Sequence, residues 1–375
     1  MFAVLNVALV IFTSAYTIYL LWQIIAWVKT PIYKPSTTGF KTKVSIIIPC
    51  RNEEKNITNC LESILKQSYP SSLLEVIVAD DNSNDNTAKT SKGYLEKSTR
   101  NWKYVLVNTP GSNKKRAIEA AIKESTGELI VITDADCTSQ RNWISSIVSL
   151  YEEKNYQMIC GPVSITNENN FCAKFQNLEF TGLSVLAGAG IFSKSPLLSN
   201  GANIAYTKEV FTQVGGFAGN GNTPSGDDTL LLFKISEQYP GKIGFIKSPQ
   251  TIVSTTAQPT WSSFMQQRIR WASKSFKSNN SLNSLVSLLV FVTNLLLLVS
   301  GIGSLVYFSC NLTLICCLIV KFTVDFLLLT CGTNFFKKQY MLFYFPLGEI
   351  VTMCYVSWVG LVANFSGYHW KGRDY

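Results

Sequence analysis

Leu129-Ile130-Val131-Ile132-Thr133-Asp134-Ala135-Asp136 is the stretch that decides the fold. Its apolar, β-branched run reads as a strand buried on both faces, the pattern of a parallel sheet covered by helices. Two carboxylates follow with one small spacer, and residues i and i+2 of an extended segment point the same way. Toward the N-terminus the rhythm repeats: Val44 to Pro49 precedes a helical pattern at Ile57 to Gln67, Glu75 to Ala79 precedes Asp85 to Lys97, and Tyr104 to Val107 precedes Lys114 to Ser125. Such alternation predicts an α/β domain with a mostly parallel sheet. Each strand ends in polar chemistry: Pro49-Cys50-Arg51-Asn52-Glu53, Asp80-Asp81-Asn82-Ser83, Asn108 ahead of Lys114-Lys115-Arg116, and Asp134-Ala135-Asp136. Open α/β sheets bind ligands beyond the carboxyl ends of their strands, so a nucleotide site is expected there. No G-x-G-x-x-G follows the first strand and no G-x-x-x-x-G-K-[ST] occurs, which argues against dinucleotide oxidoreductases and P-loop enzymes.

Outside this region the chain is far more apolar. Hydrophobic residues make up 47% of it and charged ones 15%, a balance that points to a membrane. A bilayer core needs about 20 apolar residues per helix, and Phe2 to Trp27, Leu282 to Tyr307 and Leu312 to Thr330 each qualify. The first reads as an anchor: it lacks a basic n-region and is too long for a cleaved signal peptide. Lys321 and Asp325 lie four apart on one helix face, where they neutralise each other. Tyr340 to Ala363 is interrupted by Pro346, Gly348 and Glu349, so it reads as a third C-terminal span or as an interfacial or re-entrant segment.

The expected organisation is therefore a span at 1–28, a cytoplasmic domain at 29–281, a membrane region at 282–364 and a basic tail at 365–375. Lys29, Lys34, Lys274, Lys277, Lys337 and Lys338 flank the spans and place the large domain in the cytoplasm, as in an integral protein of a bacterial inner membrane. The formal net charge of +9 suits anionic substrates and anionic lipid. Ten cysteines without C-x-x-C spacing imply reduced thiols rather than zinc or a disulfide framework. Nucleic acid is not among the expected partners, and the oligomeric state is open.

Three further constellations carry candidate chemistry. The Asp134/Asp136 pair suits one hard divalent cation, which takes one or two carboxylates plus substrate phosphates. Asp80 and Asp81 close the second strand and look like groups for uracil and ribose, with Ser83 or Asp85 capping the next helix. Gln267, Arg270 and Trp271 fall in Gln-Gln-Arg-Ile-Arg-Trp on a helical segment just before the membrane, with Gln267 and Arg270 on one face. Taken alone, that Arg and Trp also fit an interfacial anchor.

Together the residues form a resemblance. Val44-Ser45-Ile46-Ile47-Ile48-Pro49-Cys50-Arg51-Asn52-Glu53, the Asp-Asp-Asn-Ser-Asn-Asp run, Thr133-Asp134-Ala135-Asp136, Gly226-Asp227-Asp228 and Gln-x-x-Arg-Trp occur in the order and spacing of the family 2 inverting glycosyltransferases. Over residues 41 to 281 the chain resembles their membrane-bound branch, which includes cellulose, chitin and hyaluronan synthases and ceramide glucosyltransferases. The ending His369-Trp370-Lys371-Gly372-Arg373-Asp374-Tyr375 is similar to that of ceramide glucosyltransferase relatives.

The resemblance implies a GT-A fold, a Rossmann-like α/β domain with transmembrane helices at both ends. It implies a nucleotide-sugar site at Pro49, Asn52, Glu53, Asp80, Asp81, Lys115 and Asp134, with Lys114 beside it. Asp136, helped by Asp134, would hold Mg2+ or Mn2+. Asp228 matches the family's general base, with Asp227 as the second acid of the pair. Gln267, Arg270 and Trp271 match the motif that closes over diphosphate and acceptor. His369 is the single histidine, so a base in the soluble domain must be a carboxylate. The expected reaction moves a hexose or N-acetylhexosamine from a UDP-sugar to a lipid acceptor, because few C-terminal spans leave little to enclose a sugar channel. Repeated extension of a polysaccharide is the second reading, and an inactive membrane scaffold the third. Asn200 to Tyr206 and Val214 to Phe217 lie where the family shapes its acceptor pocket, and Phe171 to Leu198 reads either as a membrane-surface segment or as a buried helix.

Overall fold

The computed structural model describes residues 2–36, 39–97, 101–107, 113–218, 227–275, 281–308, 310–363, 369–370 and 373–374. In chain order the elements are α1 (Phe2–Lys29), β1 (Val44–Cys50), α2 (Ile57–Leu65), β2 (Leu74–Asp80), α3 (Thr87–Lys97), β3 (Asn101–Leu106), α4 (Lys114–Glu124), β4 (Leu129–Ile132), β5 (Thr138–Ser139) and α5 (Trp143–Lys154). There follow β6 (Met158–Cys160), β7 (Val163–Thr166), α6 (Phe171–Phe192), β8 (Ile204–Thr207), α7 (Lys208–Gln213), α8 (Asp227–Gln238), β9 (Ile243–Phe245) and β10 (Val253–Thr256). Four long helices complete the chain: α9 (Trp261–Ser275), α10 (Ser281–Val306), α11 (Leu312–Phe336) and α12 (Phe345–Val362). These elements divide into two compact units interleaved along the sequence. One holds residues 30–166 and 190–256, the other residues 1–29, 167–189 and 257–375.

The first unit is built on a seven-stranded sheet in the order β3-β2-β1-β4-β8-β6-β9. β1 pairs in parallel with both β2 and β4, and β8 runs antiparallel to its neighbours β4 and β6. Continuous Val/Ile runs make this possible, because β1, β2 and β4 are buried along their whole length. On one face Ile47, Ile77, Ile130 and Ile132 pack with Ala117, Ile118 and Ala121 of α4 and with Leu231, Leu232 and Ile235 of α8. Burying such a side chain contributes about 1.5–3 kcal/mol. The Ile132↔Ile204 register then sets the polar edge: because β8 runs backwards, its first residue lies beside the last residue of β4. The carboxyl ends of β1, β2, β4 and β6 and the start of β8 therefore share one edge of the sheet. A smaller sheet, β5-β10-β7, completes this unit.

The second unit contains four stretches long and apolar enough to cross a membrane: Ala3–Lys29, Ser281–Val306, Leu312–Phe336 and Gln339–Val362. The fourth reads as broken in sequence, and each interruption has a physical account. Gln339–Tyr344 forms a 3-10 turn, and Pro346 falls at the first positions of α12, where its missing N–H leaves no helical bond unmade. Gly348 lies against Phe175 and Leu178 of α6. Glu349 is only 5% exposed and pairs with Lys321 of α11. Lys321 also meets Asp325 at 2.7 Å, and Tyr16 Oη of α1 donates to Asp325 Oδ1 at 2.7 Å. The pair expected within one helix is thus a four-residue cluster joining three helices. Residues 171–189 of α6 are a packed helix of this unit: a Cβ on Gly332 would come within 2.5 Å of Thr181.

Candidate active site

β1 and β2 leave the sheet side by side, and asparagines in left-handed backbone conformations, Asn52 (φ 52°) and Asn82 (φ 54°), turn the two loops. Asparagine tolerates this conformation better than most residues. The loops are then laced together. Arg51 Nη1 donates to the Asp81 carbonyl at 2.5 Å, Asn84 N to Asn52 Oδ1 at 2.9 Å, and Glu53 N to Thr87 Oγ1 at 2.7 Å. Asp80 is fully buried; Ser83 N and Oγ donate to its Oδ1 at 2.9 and 2.6 Å, and Tyr104 Oη donates to its Oδ2 at 2.5 Å. Its carboxylate shapes the loop from beneath. Burial, and after it the Asp80 carboxylate, push the Tyr104 phenol well up from its ordinary range. Asp81 is 4% exposed. Asp85 caps α3, accepting from Thr87 N at 2.9 Å.

Beyond β4 the chain turns at Asp134 and Asp136, both partly exposed. Lys114, at the start of α4, reaches Asp134 Oδ1 with its Nζ at 2.5 Å. Lys115, the neighbour in the sequence, is 4% exposed on the buried side of the same helix. Cys137 Sγ donates to Asp136 Oδ1 at 3.4 Å and Cys60 Sγ to the Asp134 carbonyl at 3.6 Å. The Cys60 thiol is pushed far up, first by burial and then by Asp136, Asp134 and Glu53. Two carboxylates with a partly exposed face fit a hard cation whose remaining ligands come from a diphosphate. Among the described residues no group of three or more His, Cys, Asp or Glu converges on one point, so a bound substrate would have to complete such a site.

Asp228 stands in the first turn of α8, with Oδ2 accepting from Gly201 N at 2.7 Å and Oδ1 from Thr229 N at 2.8 Å. Gly201 belongs to the loop entering β8, which the strand register sets at the same sheet edge as Asp134 and Asp136. A polar knot fixes that loop. Asn203 is 1% exposed and donates from Nδ2 to the carbonyls of Pro162 and Thr251, each at 2.8 Å, while Trp143 Nε1 donates to its Oδ1 at 2.9 Å. Gly161 meets the Asn203 side chain so closely that a Cβ there would clash. Gly226 lies outside the described residues, as do Asn108 and part of the terminal motif. Asp227 opens α8 beside Asp228.

A scan against family models matches residues 45–218 to Glycosyl transferase family 2. Probable glycosyltransferase YdaM of Bacillus subtilis is 26% identical to the chain over 238 residues, 61% of this chain and 54% of that protein. UDP-Glc:alpha-D-GlcNAc-diphosphoundecaprenol beta-1,3-glucosyltransferase WfgD of Escherichia coli is 31% identical over 150 residues, 39% of this chain and 57% of that one. The chain spans about half the length of such curated relatives. Among solved structures, mannosyltransferase PcManGT from Pyrobaculum calidifontis in complex with GDP-Man and Mn2+ superposes with a TM-score of 0.63 over 92% of this chain and 99% of that one, at 20% identity. The chain thus has a GT-A-like α/β fold.

Gln267, Arg270 and Trp271 lie beyond the matched residues, on α9 of the second unit. Each is partly exposed. The residue between them, Arg268, is buried and was not singled out by the motif. The roles of Tyr104 and Cys60 also escaped sequence reading, because each acts through neighbours distant in the chain.

Proposed function

We propose that this protein is an inverting, membrane-bound glycosyltransferase that moves a hexose or N-acetylhexosamine from a UDP-sugar to a lipid acceptor at the cytoplasmic face. One observation carries the reading: a single sheet edge bears Asp134 and Asp136 with Lys114 at one strand end, and Asp228, held by Gly201 N, at the next. The lipid acceptor is favoured by the four apolar helices and by a relative whose name specifies a diphosphoundecaprenol acceptor.

On this reading Asp228 takes the proton of the acceptor hydroxyl as its oxygen attacks the anomeric carbon. The bond from that carbon to the donor phosphate oxygen breaks on the opposite side, UDP leaves, and one displacement gives inversion. Asp227 is the neighbouring acid able to share this role. A divalent cation, Mg2+ or Mn2+, held by Asp136 with Asp134, would supply charge stabilisation to the departing diphosphate. Lys114 neutralises Asp134, and Arg270, with Gln267 and Trp271, serves the diphosphate and acceptor as the family resemblance implies. Pro49, Asn52, Glu53, Asp80 and Asp81 form or support the nucleoside pocket.

The test is turnover of purified protein with a panel of UDP-sugars, with and without EDTA, followed by mass spectrometry of lipid and polymer fractions. A single-sugar lipid product, lost on chelation and restored by Mn2+ or Mg2+, is expected. A ladder of products would replace the lipid reading with a polysaccharide synthase. Absence of transfer from every donor would sink the enzyme assignment.

A further inference from the structure

Arg268 occupies the first variable position of Gln267-Arg268-Ile269-Arg270-Trp271, yet its side chain is engaged on every side. It is 5% exposed. Its Nε donates to Glu179 Oε1 and Oε2 of α6 at 3.0 and 3.1 Å, and its Nη2 makes a third, short bond to Oε2. Tyr355 of α12 donates its hydroxyl to the same Glu179. The guanidinium also lies 4.4 Å from the Phe264 ring centroid and 4.3 Å from that of Trp271. Phe264 and Trp271 are four residues before and three after Arg268, so the cation is held between two rings on one helix face.

The remaining arm carries the consequence. Arg268 Nη1 donates to Gln267 Oε1 at 2.5 Å. A guanidinium has donors only, so the amide atom facing it must be the oxygen. Gln267 is thereby left to meet a ligand with its NH2 group, as a donor. Entry into α9 is fixed as well: Gln176 of α6, 1% exposed, donates from Nε2 to the Gln258 carbonyl at 3.0 Å and accepts from Gln258 N at 2.8 Å.

We propose that Arg268 is the positioning residue of the Gln-x-x-Arg-Trp motif: clamped by Glu179 and Tyr355, it fixes the Gln267 amide and the Trp271 ring so that Gln267 presents only N–H donors, to an anionic or oxygen-rich ligand group. This rests on the glycosyltransferase reading above. A double-mutant cycle tests it. Arg268→Lys keeps the charge but loses the fork and the stacking, and lowers kcat about 100-fold, the scale of a misplaced contact group. Gln267→Ala causes a loss of similar size. Positioning demands that the double variant lose no more than the worse single one, since the residues act as a unit. Multiplied losses would mean that Arg268 acts on stability alone and would overturn the proposal. Should Arg268→Lys fail to fold, the same cycle is run with Tyr355→Phe, which removes one hydroxyl from Glu179. Gln267→Glu keeps an oxygen for Arg268; it leaves the melting temperature unchanged or higher and abolishes turnover, and full activity in that variant would also overturn the proposal. A wild-type protein silent with every sugar nucleotide would instead refute the enzyme reading on which it rests.

Discussion

In the helical unit Glu179, Asp325 and Glu349 each sit against a buried cation, Arg268 or Lys321, with little exposed surface. In the sheet unit Asp134, Asp136 and Asp228 keep partly exposed faces and are held by Lys114, a thiol and backbone N–H groups. The same functional group meets opposite conditions. Where water is excluded a carboxylate survives only beside a compensating charge, because the desolvation cost is several kcal/mol per ion. At the sheet edge the carboxylates keep partly exposed faces, and their negative field is one that a cation-bound diphosphate would meet.

Four experiments probe this contrast, in order of expected effect. Asp228→Asn should lower turnover by about 10²–10⁴-fold, the range for losing a general base, Asp136→Ala by about 10²–10³-fold, the range for losing electrostatic stabilisation of the departing group, and each should change unfolding free energy by under about 1 kcal/mol. Asn at 228 keeps an acceptor for Gly201 N, so denaturation of the purified variant separates chemistry from folding; comparable loss of both would erase the distinction between the two sets of acids. Lys321→Met leaves Asp325 and Glu349 buried without their ammonium and should cost about 3–5 kcal/mol, read as loss of monodisperse protein on heating in detergent. Neutral apolar replacement of all three should recover most of it, and a stable Lys321→Met variant would contradict the account. Tyr104→Phe removes the donor from fully buried Asp80 and should destabilise the sheet unit by about 1–3 kcal/mol in denaturant titration. Lys114→Ala breaks a partly exposed pair and should cost under about 1 kcal/mol of stability. A much larger cost there would mean that the Lys114–Asp134 pair behaves like the buried pairs of the long apolar helices.

Much of this architecture is legible in the chain. Unbroken Val/Ile runs mark β1, β2 and β4 because both faces are covered, and long apolar stretches mark α1, α10 and α11. The interrupted fourth stretch is harder: Pro346, Gly348 and Glu349 look like defects until one sees a helix start, a neighbouring Phe175 and a Lys321 to pair with. Choosing between Lys114 and Lys115 was equally inaccessible, since adjacent residues on a helix differ by about 100° and only packing says which one faces the edge. Glu179 and Arg268 are 89 residues apart, and no local pattern joins them.

By itself the sequence determined the alternating α/β core, the apolar helices and the placing of acids at strand ends, because periodicity and composition are local properties of the chain. Only the tertiary structure decided that residues 167–189 belong with the long apolar helices, that Asp80 is engaged in shaping a loop, and that Asp228 is seated on Gly201. Those outcomes depend on which distant groups arrive at the same place, and the energy of a buried polar contact exists only once both partners have left water.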